Sequence, residues 1–370
     1  MNDPGARHRW ISVMLVLVST GVALLAAEYL LRWQRAQIEA SSDMEAGLLR
    51  YDATLGWGLK PLWRGGHRHH DFEVEYSTDL DAWRTTPASV RKTPGRDVFW
   101  VGDSFTFGFG VSDQDTFVNR ISQAEPDVRH VNAGIPGFST DQEMLLIERR
   151  ILRTRPGAVM LVVYLGNDLF DNRLPFPLQA ENAKPYFSLD PGGRLVPHQL
   201  PVPRLRKPAD GSQPSLSQVV LGEASSSGWS GFLDLEIIRR LGWGMAPAED
   251  WRASLDTRFE GELRLFMALL TRIQNAVTGA GAQFRVYLLP SRRAIEPADG
   301  VMSQVQDYLA AQIIDRSRAQ GVTAFSLIPA LRTAQSREPG RLYFPNEGHL
   351  TARGHALVAD MIVDSPPQSP

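Results

Sequence analysis

The chain has no cysteine. That excludes a disulfide framework, a thiolate metal site and a cysteine nucleophile, and it leaves either side of a membrane open as the compartment. No charge of one sign is in excess: 39 Lys and Arg against 41 Asp and Glu leave a net −2, so the positive footprint of a nucleic-acid binder is missing. Internal repeats are absent as well. With 43% hydrophobic and 22% charged residues, neither wholesale disorder nor a fibre fits. A chain of 370 residues with this composition reads as two domains or as one large domain with additions.

Long apolar runs are scarce, with one exception. Residues 10–31 read WISVMLVLVSTGVALLAAEYLL and carry no charge from Ile11 to Ala27. As a helix this stretch is about long enough to cross the ~30 Å hydrocarbon core of a bilayer. It has no polar face, as a buried core helix of a soluble protein would, and Leu25-Ala26-Ala27 is a poor cleavage site for a signal peptide. An uncleaved transmembrane anchor is the expectation. Arg7 and Arg9 before the span balance Arg32 and Arg35 after it, so the charge rule does not orient it. Glu28 lies one turn from the end, where its carboxylate reaches the interface.

Beyond the anchor, short β-branched runs alternate with helical patterns. Residues 97–101 (DVFWV), 128–132 (VRHVN), 158–164 (AVMLVVY), 283–289 (QFRVYLL) and 322–327 (VTAFSL) read as strands. The third is almost continuously apolar, as a central strand covered on both faces should be. Phe259, Leu263, Phe266, Leu270, Ile273 and Val277 recur at helical spacing until Gly279 and Gly281 stop them. Residues 140–153 and 301–318 look similar. Such alternation predicts an α/β fold in which ligands meet the loops after the strands' carboxyl ends. Residues 171–251 break the rhythm with Pro, Gly and Ser, and read as a long irregular insertion that serves as a lid or small subdomain or is disordered. The expected organisation is a tail at 1–9, an anchor at 10–31 and an irregular linker that wraps the domain at 32–96. The main domain follows at 97–363 with the insertion inside it, then a frayed tail at 364–370.

Four short strings stand at those strand ends. Gly102-Asp103-Ser104 follows the first strand. Three common residues in that order recur by chance in roughly one chain in ten of this length, so the string alone is weak. It is not the Gly-x-Ser-x-Gly elbow, since position 106 is Thr. After the second strand, Gly134-Ile135-Pro136-Gly137 leaves backbone N–H groups uncovered by side chains, as an anionic intermediate requires. After the third, Gly166-Asn167-Asp168 presents a carboxamide. Near the C-terminus, Pro345-Asn346-Glu347-Gly348-His349 places a histidine in a loop with an acid two residues before it, the setting of an oriented general base.

Taken jointly, Ser104, Gly137, Asn167 and His349 resemble the four blocks of the SGNH hydrolases, the GDSL esterase and lipase superfamily, in a membrane-anchored bacterial form. The resemblance runs from about residue 97 to 362, the insertion excepted. It implies a three-layer α/β/α fold with a parallel sheet of about five strands. It also implies Ser104 as nucleophile, His349 as base, and an oxyanion hole made by the Ser104 amide, the Gly137 amide and the Asn167 side chain. One departure stands out. Most of the family carries the orienting acid three residues before the histidine, where this chain has Asn346. In a serine protease, replacing the triad aspartate by asparagine costs about 10⁴ in kcat. Glu347 offers a carboxylate at the acid-x-His spacing of alginate and peptidoglycan O-acetylation enzymes of this fold. Three readings are open: Glu347 as the acid, Asn346 in its place, or a dyad without an acid. The Asn346→Asp exchange, which restores the commoner spacing, is expected to raise activity.

Other residues have blander readings. His67-Arg68-His69-His70-Asp71 reads as a solvated loop, because adjacent residues do not converge on one metal centre. Asp103 reads as a local hydrogen-bonding partner, and Asp168, Asp171 and Asn172 as pocket lining without an assigned task. His355 reads as helix surface. Tyr186, Phe187, Trp229, Trp243 and Trp251 give the insertion aromatic surface suited to stacking on sugars or to packing a small core. The expected activity is a membrane-anchored serine esterase that hydrolyses an acyl ester, an O-acetyl above all, on an envelope carbohydrate or lipid. No cofactor, metal or nucleic-acid partner is expected, and the catalytic domain is placed on the periplasmic side. Alternatives are an O-acetyltransferase on an extracytoplasmic polysaccharide using the same site, and a catalytically silent carbohydrate-binding module.

Overall fold

The computed structural model describes residues 4–89, 97–208, 255–296, 300–338 and 340–364. A 37-residue helix, Pro4–Ala40, opens the chain. Its Trp10–Ile38 portion, which contains an 18-residue stretch of mean hydropathy 2.2, is the one helix among the described residues long and apolar enough to cross a membrane. A single-pass anchor and a signal sequence both fit it.

The strands are, in chain order, β1 (Asp43–Met44), β2 (Leu49–Asp52), β3 (Gly56–Leu59), β4 (Arg64–His69), β5 (Phe72–Ser77), β6 (Val98–Gly102), β7 (His130–Gly134), β8 (Ala158–Tyr164), β9 (Tyr186–Leu189), β10 (Leu195–His198), β11 (Gln283–Leu289) and β12 (Thr323–Ser326). Five of them form the central sheet in the order β12-β11-β8-β6-β7, every pair parallel. Helix Leu255–Gly279 packs on both Thr140–Leu146 and Val301–Ala319, and Phe117–Ala124 packs on Ala352–Asp364. All seven residues of β8 are buried, which explains its unbroken apolar run. The chain steps from β6 outward to β7 and then returns to lay β8 on the other side of β6. This order reversal opens a crevice at the carboxyl ends of β6 and β8, the place where open α/β sheets bind ligands.

Residues 41–89 are not the irregular linker expected from sequence. They form a β2–β3 hairpin and a β1-β4-β5 antiparallel sheet. Burial alternates along β4 with Gly65 and His67 inward, and neither is an apolar side chain, so β4 shows no period-two hydrophobic signal; β5 does, as Phe72-Glu73-Val74-Glu75-Tyr76, and the sequence reading passes over it. Arg84 fastens this segment to the main domain. Its fully buried guanidinium lies 4.5 Å over the ring of Tyr76 and 4.4 Å over that of Phe107, with Nε donating to Asp113 at 2.6 Å. A backbone bond from Arg84 N–H to the Asn132 carbonyl (3.1 Å) also covers the free edge of β7.

The first part of the insertion folds onto the domain through the β9–β10 hairpin and a buried ion pair. Lys184 Nζ donates to Asp141 Oδ2 at 2.5 Å with both side chains fully enclosed. Phe187 is a core residue, and Tyr186 stacks on His198 at 4.7 Å instead of offering a free sugar platform. Trp229, Trp243 and Trp251 lie outside the described residues, as do 209–254 of the insertion region and 365–370 of the tail.

Candidate active site

Ser104 opens the four-residue helix Ser104–Phe107 directly after β6. Asp103 caps that helix by accepting from the Phe105 N–H at 2.8 Å, the local task expected of it. Gly102 must lack a side chain here, since a Cβ would fall 2.2 Å from Thr106 Oγ1 and 2.8 Å from the Val162 carbonyl. The sharp turn leaves Ser104 at the rim of the crevice with 7% of its surface exposed. Its hydroxyl lies 2.6 Å from His349 Nε2.

His349 sits in the loop after Phe344, and its Nδ1 is 2.6 Å from Glu347 Oε1 and 2.7 Å from Oε2. The His349 backbone N–H also donates to Glu347 Oε2 at 3.0 Å. Burial works to lower the His349 pKa, but the charge and hydrogen bond of Glu347, helped by Asp103, outweigh it and hold the pKa above 6.5. Glu347 responds in kind. Burial pushes its carboxyl up, and the His349 charge and hydrogen bonds more than reverse that, leaving it below its usual value. Phe105 and Phe109 flank the imidazole at ring distances of 4.3 and 5.2 Å. Asn346, at the family's usual acid position, makes no bond to His349. Its side-chain N–H₂ donates to Asp71 instead, at 2.6 Å.

Asn167 follows β8 and is 2% exposed. Its Nδ2 donates to Asp171 Oδ2 at 2.6 Å, which uses one of its two N–H bonds and fixes the plane of the other. Asp171 also accepts from the Leu178 N–H (2.8 Å), and burial raises its carboxyl to about 6. Asp168 accepts from the Tyr164 N–H at 2.7 Å, while Asn172 accepts from the Asp141 N–H at 3.0 Å. Gly137 adopts φ +80°, a left-handed conformation that favours glycine, in the turn after β7. Trp57 Nε1 holds this turn by donating to the Pro136 carbonyl at 2.9 Å.

Two surface readings do not hold. His355 is buried, not exposed on its helix. Its Nδ1 accepts from the Phe117 N–H at 3.2 Å, and burial lowers its pKa to about 3. The run from His67 to Asp71 is the tip of the β4–β5 hairpin, with Arg68 and His70 exposed, and the surface reading fails at His67. His67 is buried, with Nδ1 2.8 Å from the Tyr76 hydroxyl and its ring 4.7 Å from that of Phe109. Sequence reading assigns Asp71 and Asp171 no task at the site; the four-residue spacing from Asn167 could have marked Asp171, whereas nothing in spacing or composition marks Asp71. Asp71 touches the site through a contact that the fold alone creates, with Asn346, 275 residues away in sequence.

A parallel α/β sheet that gathers a serine, a histidine with its carboxylate, an asparagine and a glycine turn at its switch point has the layout of an acyl-ester hydrolase. The family model for the GDSL-like lipase/acylhydrolase family matches residues 100–357, well over half of the chain, and the protein belongs to that family. It is a hydrolase of ester bonds. No curated protein matches the sequence. Similar solved structures include an acetyl xylan esterase with 11% identity and a TM-score of 0.42, over 73% of this chain and 100% of that one. A member of the lipolytic G-D-S-L family from Veillonella parvula has 12% identity and a TM-score of 0.37, over 74% and 100%. An acetyl xylan esterase from Geobacillus stearothermophilus has 11% identity and a TM-score of 0.40, over 73% and 94%.

Proposed function

We propose that the protein is a membrane-anchored serine esterase that removes a short acyl group, O-acetyl above all, from a carbohydrate or lipid of the cell envelope. The observation that carries this reading is the unbroken chain from Ser104 Oγ to His349 Nε2 (2.6 Å) and from Nδ1 to Glu347 (2.6 Å). With Nδ1–H donating to Glu347, Nε2 is left to accept the Ser104 proton as Oγ bonds to the ester carbonyl carbon. The carbonyl oxygen becomes an oxyanion, which takes hydrogen bonds from the Ser104 amide, the Gly137 amide and the second N–H of Asn167. As the tetrahedral intermediate collapses, the alkoxide leaves with the proton from His349, and Ser104 keeps the acyl group. Water then attacks the acyl-serine while His349 takes its proton, and the carboxylic acid departs as Ser104 recovers its hydrogen.

The turn that carries the Gly137 amide is tightly packed, since a Cβ there would lie 3.2 Å from Ala180 of the insertion and 3.3 Å from Trp57. The Pro4–Ala40 helix serves as the anchor in this reading, with the domain on the extracytoplasmic side where acylated envelope polymers are found.

The test is labelling of spheroplasts with a membrane-impermeant fluorophosphonate, alongside turnover of p-nitrophenyl acetate. The native chain should be labelled stoichiometrically in the membrane fraction. Ser104→Ala should lose both labelling and turnover at unchanged Tm. Undiminished turnover by Ser104→Ala would defeat the serine assignment, and labelling only after lysis would defeat the placement of the domain.

A further inference from the structure

The loop that carries Glu347 and His349 is held from outside the catalytic domain. At the β4–β5 turn, one carboxylate takes three bonds from it. Asp71 Oδ2 accepts from the backbone N–H groups of Asn346 (2.8 Å) and Glu347 (3.0 Å), and Oδ1 accepts from Asn346 Nδ2 (2.6 Å). On the opposite side of the loop, Arg292 Nη1 donates to the carbonyls of Phe344 and Pro345. The peptide groups from 344 to 347 thus lie between a carboxylate on their N–H side and a guanidinium on their carbonyl side. Phe72, next to Asp71, adds an apolar contact to Phe344 with rings 5.0 Å apart. For Glu347 to serve a histidine only two residues on, its side chain must fold back along its own loop, and that geometry depends on where its backbone N–H is fixed.

We infer that Asp71 is a positioning residue for the reaction: it pins Asn346 and Glu347 so that Glu347, and not residue 346, orients His349. This rests on the proposed serine mechanism and adds that the hairpin on the membrane side of residue 97 completes the site. It also gives Asn346 a purpose. Its amide is the donor that the second Asp71 oxygen needs, so a carboxylate there would face another carboxylate. The geometry thereby reverses the expectation that Asn346→Asp raises activity.

The experiment uses the full-length protein in detergent, with p-nitrophenyl acetate kinetics, pH profiles and Tm for Asp71→Ala, Asp71→Asn, Asn346→Asp and the double variant Asp71→Asn/Asn346→Asp. Displacements of about 1 Å in catalytic groups cost on the order of 10²-fold. Asp71→Ala and Asn346→Asp should therefore each lower kcat by roughly 10–100-fold while KM changes by less than about threefold. The acid limb of kcat/KM should move to lower pH in Asp71→Ala, because a displaced Glu347 no longer holds up the His349 pKa. Asp103, the other group that raises it, is untouched. Asp71→Asn, which preserves shape, should fold as the native chain does and lose less than Asp71→Ala. The double variant exchanges donor and acceptor across the contact and should recover most of the activity lost in Asn346→Asp. Native kcat in Asp71→Ala would overturn the inference, as would a fall in kcat with an unmoved acid limb, a gain in Asn346→Asp, or no recovery in the double variant. The serine mechanism fails separately, through active Ser104→Ala.

Discussion

The Glu347→Gln exchange tests the proposed chemistry most directly. The native carboxylate faces two donors on one residue, Nδ1 of His349 at 2.6 Å and the His349 backbone N–H at 3.0 Å. Glutamine keeps the size but offers a single oxygen. If that oxygen stays on the backbone N–H, the new NH₂ faces Nδ1, and the ring must carry its proton on Nε2, where it blocks acceptance from Ser104. If the oxygen turns to Nδ1–H instead, two N–H groups confront one another. In both arrangements the imidazolium formed on proton transfer has lost its counter-charge. Loss of a triad carboxylate costs roughly 10²–10⁴ in kcat, or about 2.7–5.4 kcal/mol of barrier. The pH profile carries a second signature. The neutral ring is the competent base, so native kcat/KM falls as pH drops through a His349 pKa raised above 6.5. Without Glu347, burial lowers that pKa against Asp103 alone, so the acid limb should move to lower pH while the plateau drops. Steady-state hydrolysis of p-nitrophenyl acetate across the pH range reads both effects. Native kcat, or a lowered plateau with an unmoved limb, would refute the reasoning.

Two further exchanges probe the neighbouring parts. Asn167→Ala removes the donor that Asp171 aligns and should lower kcat by on the order of 10²–10³ with a smaller effect on KM; a large KM rise at constant kcat would show that Asn167 binds ground-state substrate. Lys184→Met leaves the Asp141 carboxylate enclosed without its partner and should destabilise the fold by about 3–5 kcal/mol. The loss should grow with rising pH, because Asp141, already raised by burial, escapes the penalty only when protonated; thermal unfolding at two pH values decides it.

The central sheet was legible because its strands are apolar for a reason that composition records. β8 and β11 match the sequence reading residue for residue: β8 is buried throughout, and β11 is buried from Val286 to Leu289 after a start that carries Gln283 and Arg285. Helix Leu255–Gly279 was legible for the same reason, with Phe259, Leu263, Phe266, Leu270, Ile273 and Val277 all buried at the spacing that marks one face. The 140–153 pattern was legible as helical but not in its detail. The α-helix Thr140–Leu146 widens to a π-turn at Ile147–Ile151 and tightens at Leu152–Thr154, changes of hydrogen-bond pitch that hydrophobic periodicity does not resolve. His355 was misread because its partner, Phe117, lies 238 residues earlier and supplies both a buried N–H and a ring to stack on.

The same limit explains how the site was read. Ser104, Asn167 and His349 are visible because each stands in a short string at the end of a strand, where chain order and spatial order coincide. The acid is harder, because spacing compares only residues 346 and 347 with 349. On the proposal above, what separates those two candidates is Asp71, 275 residues away from Asn346 along the chain and in a hairpin whose first strand turns glycine and histidine inward. Asn346 looks like a weakened acid when judged against the family's spacing. Judged against its partner, it is the neutral member of a carboxamide–carboxylate contact, and a second negative charge would break it. On the proposed role of Asp71, Asn346→Asp is expected to damage the loop, because residue 346 is then judged by what faces it across the fold and not by its distance in sequence from the histidine.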